Sequence, residues 1–279
     1  MDFRDIVRRT IPRSLRNAMR SPGKTATGMW QDVSYRMMGR SERVNVFPGW
    51  DLKCHPSSIP AFDVFRFEPD SREEFKAFVS HASEGMILFD AGAHHGFFGL
   101  ATAHFGGRSA KAVCVDASEK AIETLNINLH INNAQDQVRT IHAAVGAEPG
   151  VLKMVTTGTA GMHYFVGVDG DRPDTTNVQQ ITIDSLLEST GLTPTHLKID
   201  VEGFEDEALR GSAKILREVR PIVLLELHGT YVRNRGHEPL AVLQRLIDAG
   251  YSRFLHNDRP ISPQEAAKSN LIRLVILPD

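Results

Sequence analysis

From Met86 to Leu277 the chain repeats one unit: a short, almost continuously apolar run, a charged or small residue where it ends, a turn, and then a helix-like stretch. Met86-Ile87-Leu88-Phe89 closes on Asp90, and Ala112-Val113-Cys114-Val115 closes on Asp116. Val138–Ala144, Thr195–Asp200, Pro221–Leu227, Tyr251–His256 and Leu271–Leu277 carry the pattern on. Helical periodicity fills Phe97–Phe105, Glu119–Asn132, Glu205–Leu216 and Pro239–Ala249, the last stopped by Gly250. A strand that is apolar on both sides must be covered on both faces, and the intervening helices supply the cover. The expectation is an α/β fold built on a mostly parallel sheet.

Upstream of this region the signals are weaker. A helix is expected over Ser71–Ser80, capped by Ser71, with Glu73 and Glu74 in its first turn and Phe75 and Phe78 inward. Ser21-Pro22-Gly23 and Phe47-Pro48-Gly49 read as turns. Residues 1–43 are rich in arginine, and Phe3, Val7, Ile11, Leu15 and Met19 recur every four residues, a stripe that Pro12 interrupts. The chain therefore divides into a basic, partly helical extension (1–60) and an α/β domain (61–279). The extension would pack on its own domain or a second copy of the chain; peripheral contact with an anionic membrane is the less favoured reading.

A formal net charge of -2 on 279 residues leaves no global basic field, so a nucleic-acid partner is not expected. Cys54 and Cys114 stand far apart, outside any metal-binding spacing, which suits a reducing compartment. The absence of an apolar leader or an apolar run of membrane-spanning length points to a cytoplasmic location. Val155–Asn177 holds four glycines together with His163 and Tyr164, a loop long enough to expect a lid.

The chemistry concentrates at two places. Asp90-Ala91-Gly92-Ala93-His94-His95-Gly96 joins the first apolar run to its helix with the spacing D-x-G-x-x-x-G. Glycines there let the backbone approach a ligand above the carboxyl ends of the strands. The G-x-G-x-x-G grip on a dinucleotide is missing, and an acid beside the turn repels a pyrophosphate but suits a ligand bearing an ammonium and a sulfonium. Asp116, twenty positions after Gly96, can accept hydrogen bonds from ribose hydroxyls, and the small Ala143 and Ala144 leave room for an adenine ring. The second place is Leu197-Lys198-Ile199-Asp200-Val201-Glu202-Gly203-Phe204-Glu205, followed by Leu224-Leu225-Glu226-Leu227-His228 at the next strand mouth. Alternation along a strand turns Asp200 with Glu202, and Glu226 with His228, toward one crevice.

ILFDAGAHHGFFG, the helix bearing Asn128 and Asn132, IHAAVG, ITIDSLL, LKIDVEGFEDEALRG and VLLELH together resemble the FkbM-type methyltransferases, over about Phe62 to Asp279. The resemblance implies a Rossmann-like seven-stranded sheet with its last strand antiparallel, S-adenosyl-L-methionine as donor, and an oxygen acceptor, often a sugar hydroxyl. By position it assigns Asp90, Gly92 and Gly96 to the cofactor turn and Asp116 to the ribose; Ala93, Ala117, Ala143 and Ala144 complete the expected cofactor-binding set. This chain departs from the family at His94, where asparagine is frequent, and at Asp116-Ala117, where glutamate and proline are frequent.

An alcohol acceptor needs a base as the new bond forms; His228, Asp200, Glu226 and His163 are the candidates, in that order. Asp200, Glu202 and Glu226 holding a Mg²⁺ is the less favoured arrangement, because strand-end carboxylates are also needed for the methionine ammonium; no metal ligands are assigned. The acceptor is expected to be a glycan or small metabolite. The rival readings are a non-catalytic binding protein on the same fold and a nicotinamide-dependent oxidoreductase.

Overall fold

The computed structural model describes residues 41–155, 165–166 and 175–279. The basic segment 1–40, His163 and most of the expected lid lie outside the described residues.

The described chain opens with a hairpin, β1 (Glu42–Phe47) and β2 (Trp50–Cys54), turned at Pro48-Gly49. Then come α1 (Ile59–Phe67) and α2 (Pro69–His81). The helix expected from Ser71 begins two residues earlier, because Pro69 occupies the first helical position, where its missing N–H costs nothing. Ser71 is buried instead, its hydroxyl donating to Glu68 at 2.9 Å. Trp50 of β2 stacks on Phe75 of α2 with ring centroids 5.7 Å apart, and Phe65 of α1 lies flat on Phe97 at 3.8 Å. The hairpin and both helices thus share one aromatic core with the sheet. Each such ring withdrawn from water stabilises by about 1.5–3 kcal/mol.

The alternation of strand and helix follows: β3 (Ile87–Ala91), α3 (Phe97–Phe105), β4 (Lys111–Asp116), α4 (Glu119–Ile131) and β5 (Val138–His142). The third expected strand is split at Ala143. Its last residues form β6 (Ala144–Val145), which joins β7 (Gly150–Val155), β8 (Phe165–Val166) and β9 (Thr175–Ile181) in a separate sheet of order β6-β9-β7-β8. The chain then returns through α5 (Ser185–Thr190) to β10 (His196–Ile199), α6 (Glu205–Arg210) and β11 (Ile222–Leu227). The helix expected over Glu205–Leu216 breaks at Gly211, and Ile215–Val219 forms a π-helical turn. α7 (Gly229–Asn234), α8 (Pro239–Asp248), β12 (Tyr251–His256), β13 (Arg259–Pro260), α9 (Pro263–Ala266) and β14 (Ile272–Pro278) complete the chain.

The main sheet runs β13-β12-β14-β11-β10-β3-β4-β5. β3, β4, β5, β10 and β11 are mutually parallel, and β14 inserts antiparallel between β11 and β12. This is the Rossmann-like sheet with an antiparallel last strand; the two-residue β13 makes its eighth member. Alternate residues feed two cores. Phe89, Val113, Leu197 and Val223 face one side, while Leu88, Ala112, Cys114 and Leu224 face the other. Coverage of both faces is what the continuous apolar runs require. The parallel strands all end at one edge, and that edge carries the acids.

Candidate active site

The backbone between β3 and α3 is built for close approach. Gly92 has φ +87, and a Cβ placed on it would lie 1.8 Å from the Asp200 carbonyl oxygen. Only glycine lets the ends of β3 and β10 meet there, with Asp200 N–H donating to the Ala91 carbonyl at 2.9 Å. Gly92 and Ala93 both donate to the Val115 carbonyl, at 2.9 and 3.0 Å, tying the turn to β4. Gly96, at φ +85, starts α3 and rests against Leu125 of α4. Asp116 ends β4 and is held by two backbone N–H groups, His94 on Oδ2 and Ser118 on Oδ1, each at 2.8 Å. A carboxylate has about four acceptor sites, so these bonds aim the group and leave it capacity for hydroxyl donors.

A cavity of about 330 Å³ runs along this edge. Asp90, Gly92, Ala93 and Asp116 line its floor, and Ala117, Ala143 and Ala144 form a small-residue slot at one end. Asp200, Glu202, Glu226 and Arg273 line the other end, and Ala61, Phe62, Val64 and Phe65 of α1 form an apolar wall. Gly96 and His228 stand just outside the lining, the first beneath the turn and the second behind Glu202 and Glu226.

Sheet register sets the charges in a row. Lys198 lies opposite Asp90, and Glu226 lies opposite Arg273. Lys198 is almost wholly buried, 3.3 Å from Glu74, 3.5 Å from Asp200 and 3.8 Å from Glu226. Arg273 donates to Glu226 at 2.8 Å and sits 3.5 Å from Glu74. The two oxygens of Glu74 make no well-aligned hydrogen bond, so its partners are these two cations at ion-pair range. His228 binds the fully buried Glu205 through Nδ1 at 2.8 Å and turns Nε2 toward Glu202 (3.3 Å), Glu226 (3.8 Å) and Asp200 (3.9 Å).

Proton affinities follow from this crowding. Burial lifts Asp90 to about 7 despite the pull of Lys198. Burial together with the neighbouring charge of Asp200 lifts Glu226 to about 8, while Lys198 and His228 overcome burial to hold Asp200 below the usual carboxylate range. Burial alone would lower His228, but its bond to Glu205 and the charges of Asp200, Glu205 and Glu202 hold it at about 9. In the resting site His228 is therefore an imidazolium, and Asp200 is the ionised carboxylate open to the cavity. Burial drives His95, in the glycine turn, down to about 2, so that ring is neutral and stacks on His94 at 3.9 Å.

Asp200, Glu226 and His228 also offer one ligand atom each within 4.8 Å of one another, a spacing three donors around one divalent cation can adopt. Lys198 and Arg273 already sit against the oxygens of Asp200 and Glu226, so a metal would have to displace those contacts to bind.

The acids expected at the strand ends thus converge, by a different route. Asp200, Glu202 and His228 lie beyond the strands, and Glu202, in the left-handed region at φ +51, brings its carboxylate to His228. Sequence reasoning did not single out Glu74, Lys198, Glu205, Arg273 or the α1 wall. A lone cation inside an apolar run, as in Leu197-Lys198-Ile199 and Ile272-Arg273-Leu274, was the available signal for buried pairing.

Comparison with known proteins returns a family and a set of folds. The family model described as the Methyltransferase FkbM domain matches residues 90–253. Among solved structures, an FkbM methyltransferase from Methylobacillus flagellatus KT is similar at 15% identity and TM-score 0.47, over 73% of this chain and 46% of that one. This chain thus spans less than half the length of that protein. A putative rRNA methylase from Clostridium thermocellum aligns at 12% identity and TM-score 0.48, over 76% and 96% of the two chains. A SAM-dependent methyltransferase from Aquifex aeolicus aligns at 13% identity and TM-score 0.42, over 80% and 97%. No curated protein sequence matches the chain.

Proposed function

The chain belongs to the FkbM methyltransferase family, a family of S-adenosylmethionine-dependent enzymes, and from that premise we propose that it methylates a hydroxyl on a sugar, a glycan or another small metabolite. One observation carries the reading. A buried acid, a glycine cradle, a backbone-aimed carboxylate and an alanine-lined slot line a single cavity that ends at a polar mouth.

The residues fit the donor part by part. Asp90 would take the methionine ammonium, an arrangement that removes the cost of ionising a buried carboxyl. Asp116, held by His94 and Ser118, would take the ribose hydroxyls, and Ala117, Ala143 and Ala144 would flank the adenine. The closeness of Gly92 to Asp200 leaves the donor end and the acceptor end of the cavity sharing one wall. S-adenosylmethionine supplies an electrophilic methyl group on a sulfonium, open to in-line displacement.

At the acceptor end the chain supplies position and a proton path. Asp200 and Glu226, fixed by Lys198 and Arg273, present oxygens that accept hydrogen bonds from vicinal hydroxyls. Val64 and Phe65 face the same space with apolar surface, which suits the C–H face of a sugar ring. The free-base fraction of His228, oriented through Glu205, would take the hydroxyl proton at Nε2, which lies 3.9 Å from the cavity-lining Asp200.

Calorimetric titration with S-adenosylmethionine, S-adenosylhomocysteine and NAD tests the donor half. Tight binding of the first two and none of the third is expected; a chain that binds NAD alone refutes the reading. Transfer of an isotope-labelled methyl group to a panel of sugars, sugar amines and phenols then tests the acceptor half, with label in an O-methyl sugar as the expected product.

A further inference from the structure

Asn128 on α4 and Asn132 just past its end both reach the N-terminal segment, and Asn128 also holds the glycine turn. Asn128 is fully buried. Its Oδ1 accepts the His55 N–H at 2.7 Å, and its Nδ2 donates to Ser58 Oγ and to the His95 carbonyl, both at 2.9 Å. Asn132, one helical turn further on, binds β2 instead: its Nδ2 donates to the Lys53 carbonyl at 2.7 Å and its Oδ1 accepts the Lys53 N–H at 3.4 Å.

The consequences run in two directions from Asn128. Ser58 is the residue on which α1 begins, so its bond sets where α1, the apolar wall of the cavity, starts. His95 belongs to the turn that approaches the donor, and Gly96 beside it rests on Leu125, three residues before Asn128. A single buried carboxamide thus joins turn and wall, through two buried bonds to His55 and Ser58 and a partly buried one to His95. Its loss would strand a carbonyl, an N–H and a hydroxyl at once, and the cheapest relief is to part the segment from the turn and admit water.

We propose that Asn128 is a positioning residue that locks the donor turn to the N-terminal wall, so that the grip on S-adenosylmethionine depends on the docking of residues 55–65. The inference rests on the donor site proposed above. It assigns a working role to a part of the chain that lies outside the family match at residues 90–253.

The test is calorimetry on the full chain with S-adenosylmethionine and S-adenosylhomocysteine, well below each variant's melting temperature. Asn128→Ala and Asn128→Asp should each lose about tenfold or more in affinity for both ligands, because the turn moves whatever the sulfur carries. Asn132→Ala loosens β2 without releasing the turn and should stay within about twofold, as should Leu209→Ala, a core variant on the opposite face of the sheet. Amide hydrogen exchange gives a readout that bare destabilisation does not move: the donor should slow exchange at His55 in the wild-type chain and not in Asn128→Asp. Should Asn128→Ala not fold, Asn128→Asp decides, since it keeps the acceptor oxygen for His55 and loses the amide that holds His95. Wild-type affinity in both Asn128 variants overturns the proposal, and so does an equal loss in Asn132→Ala and Leu209→Ala. A wild-type chain that binds neither ligand sinks the donor reading itself, which is a different failure.

Discussion

Replacing Gly92 with alanine puts the closest backbone approach in the site under direct strain. The residue sits at φ +87, where an L-residue costs about 1–2 kcal/mol relative to glycine. The new methyl carbon would stand 1.8 Å from the Asp200 carbonyl oxygen and 2.8 Å from its carbon, both fixed backbone atoms. The mouths of β3 and β10 must therefore separate by more than an ångström, which stretches the Asp200 N–H to Ala91 carbonyl bond and removes roughly another 1 kcal/mol. Together these amount to about 3 kcal/mol, which for a chain of this size lowers Tm by roughly 6–12 °C. Donor affinity should fall further than stability, by about 100-fold or more, because the same separation moves Asp90 away from the place proposed for the donor ammonium. Thermal unfolding and calorimetric titration measure both effects. Gly150→Ala is the matched control, since a Cβ there meets nothing within 4 Å. A Gly92→Ala protein with Tm within about 2 °C of wild type and unchanged donor affinity would refute the reasoning.

Three further outcomes are expected. Burial holds the Asp90 carboxyl at about 7, and the donor ammonium needs the ionised form. Donor affinity should thus fall toward about tenfold per pH unit as pH drops below 7, while Asp90→Asn binds weakly and without that slope; calorimetry across pH 5.5–7.5 in both proteins checks it. Asp116→Ala leaves the His94 and Ser118 amides and the ribose hydroxyls without their acceptor and should weaken donor binding by about 1–3 kcal/mol; equal affinity removes the ribose assignment. His228 is held at about 9, so its free-base fraction rises about tenfold per pH unit up to that value, and the methyl-transfer rate should rise with it. His228→Ala should keep donor affinity, slow transfer on the order of 10²-fold and flatten the profile, whereas a wild-type rate that is already flat from pH 6 to 9 assigns the proton to Asp200 instead.

The sheet was legible because each parallel strand is buried on both faces and so carries an uninterrupted apolar run. Phe97–Phe105 and Tyr251–His256 match their expected bounds residue for residue. What escaped is what lies half in water. β9 reads Thr-Thr-Asn-Val-Gln-Gln-Ile and buries only Val178 fully, so it shows no run, and the second sheet it anchors was not foreseen. β2 does alternate, with Trp50, Leu52 and Cys54 inward and Asp51 and Lys53 outward, but five residues of period two beside a Pro-Gly turn are easily read as loop. The strand expected over Val138–Ala144 failed at Ala143, because leaving the main sheet for the second one requires no change in hydrophobicity.

Within the site, positions could be read but proton states could not. A parallel sheet delivers every strand's carboxyl end to one edge, so Asp90, Asp116, Asp200 and Glu226 had to be neighbours once the strands were recognised. Which of them stays charged depends on partners from elsewhere in the chain. Glu74 reaches the row from α2, where it looks like any acid in the first turns of a helix. His228 ranked first as a base on the ordinary imidazole range, yet Asp200 and Glu202 around Nε2 and Glu205 on Nδ1 hold its proton on. Two of these three groups, Asp200 and Glu202, line the cavity, so His228 feels a cation that arrives there. Each positive charge brought near them competes with the imidazolium for the same field, so the sulfonium donor itself should lower the pH at which His228 becomes a base. Measured at saturating donor, the rise in transfer rate should therefore end below the value of about 9 set by the carboxylates alone; a profile that ends at the same pH with and without saturation would mean the two charges do not share one site.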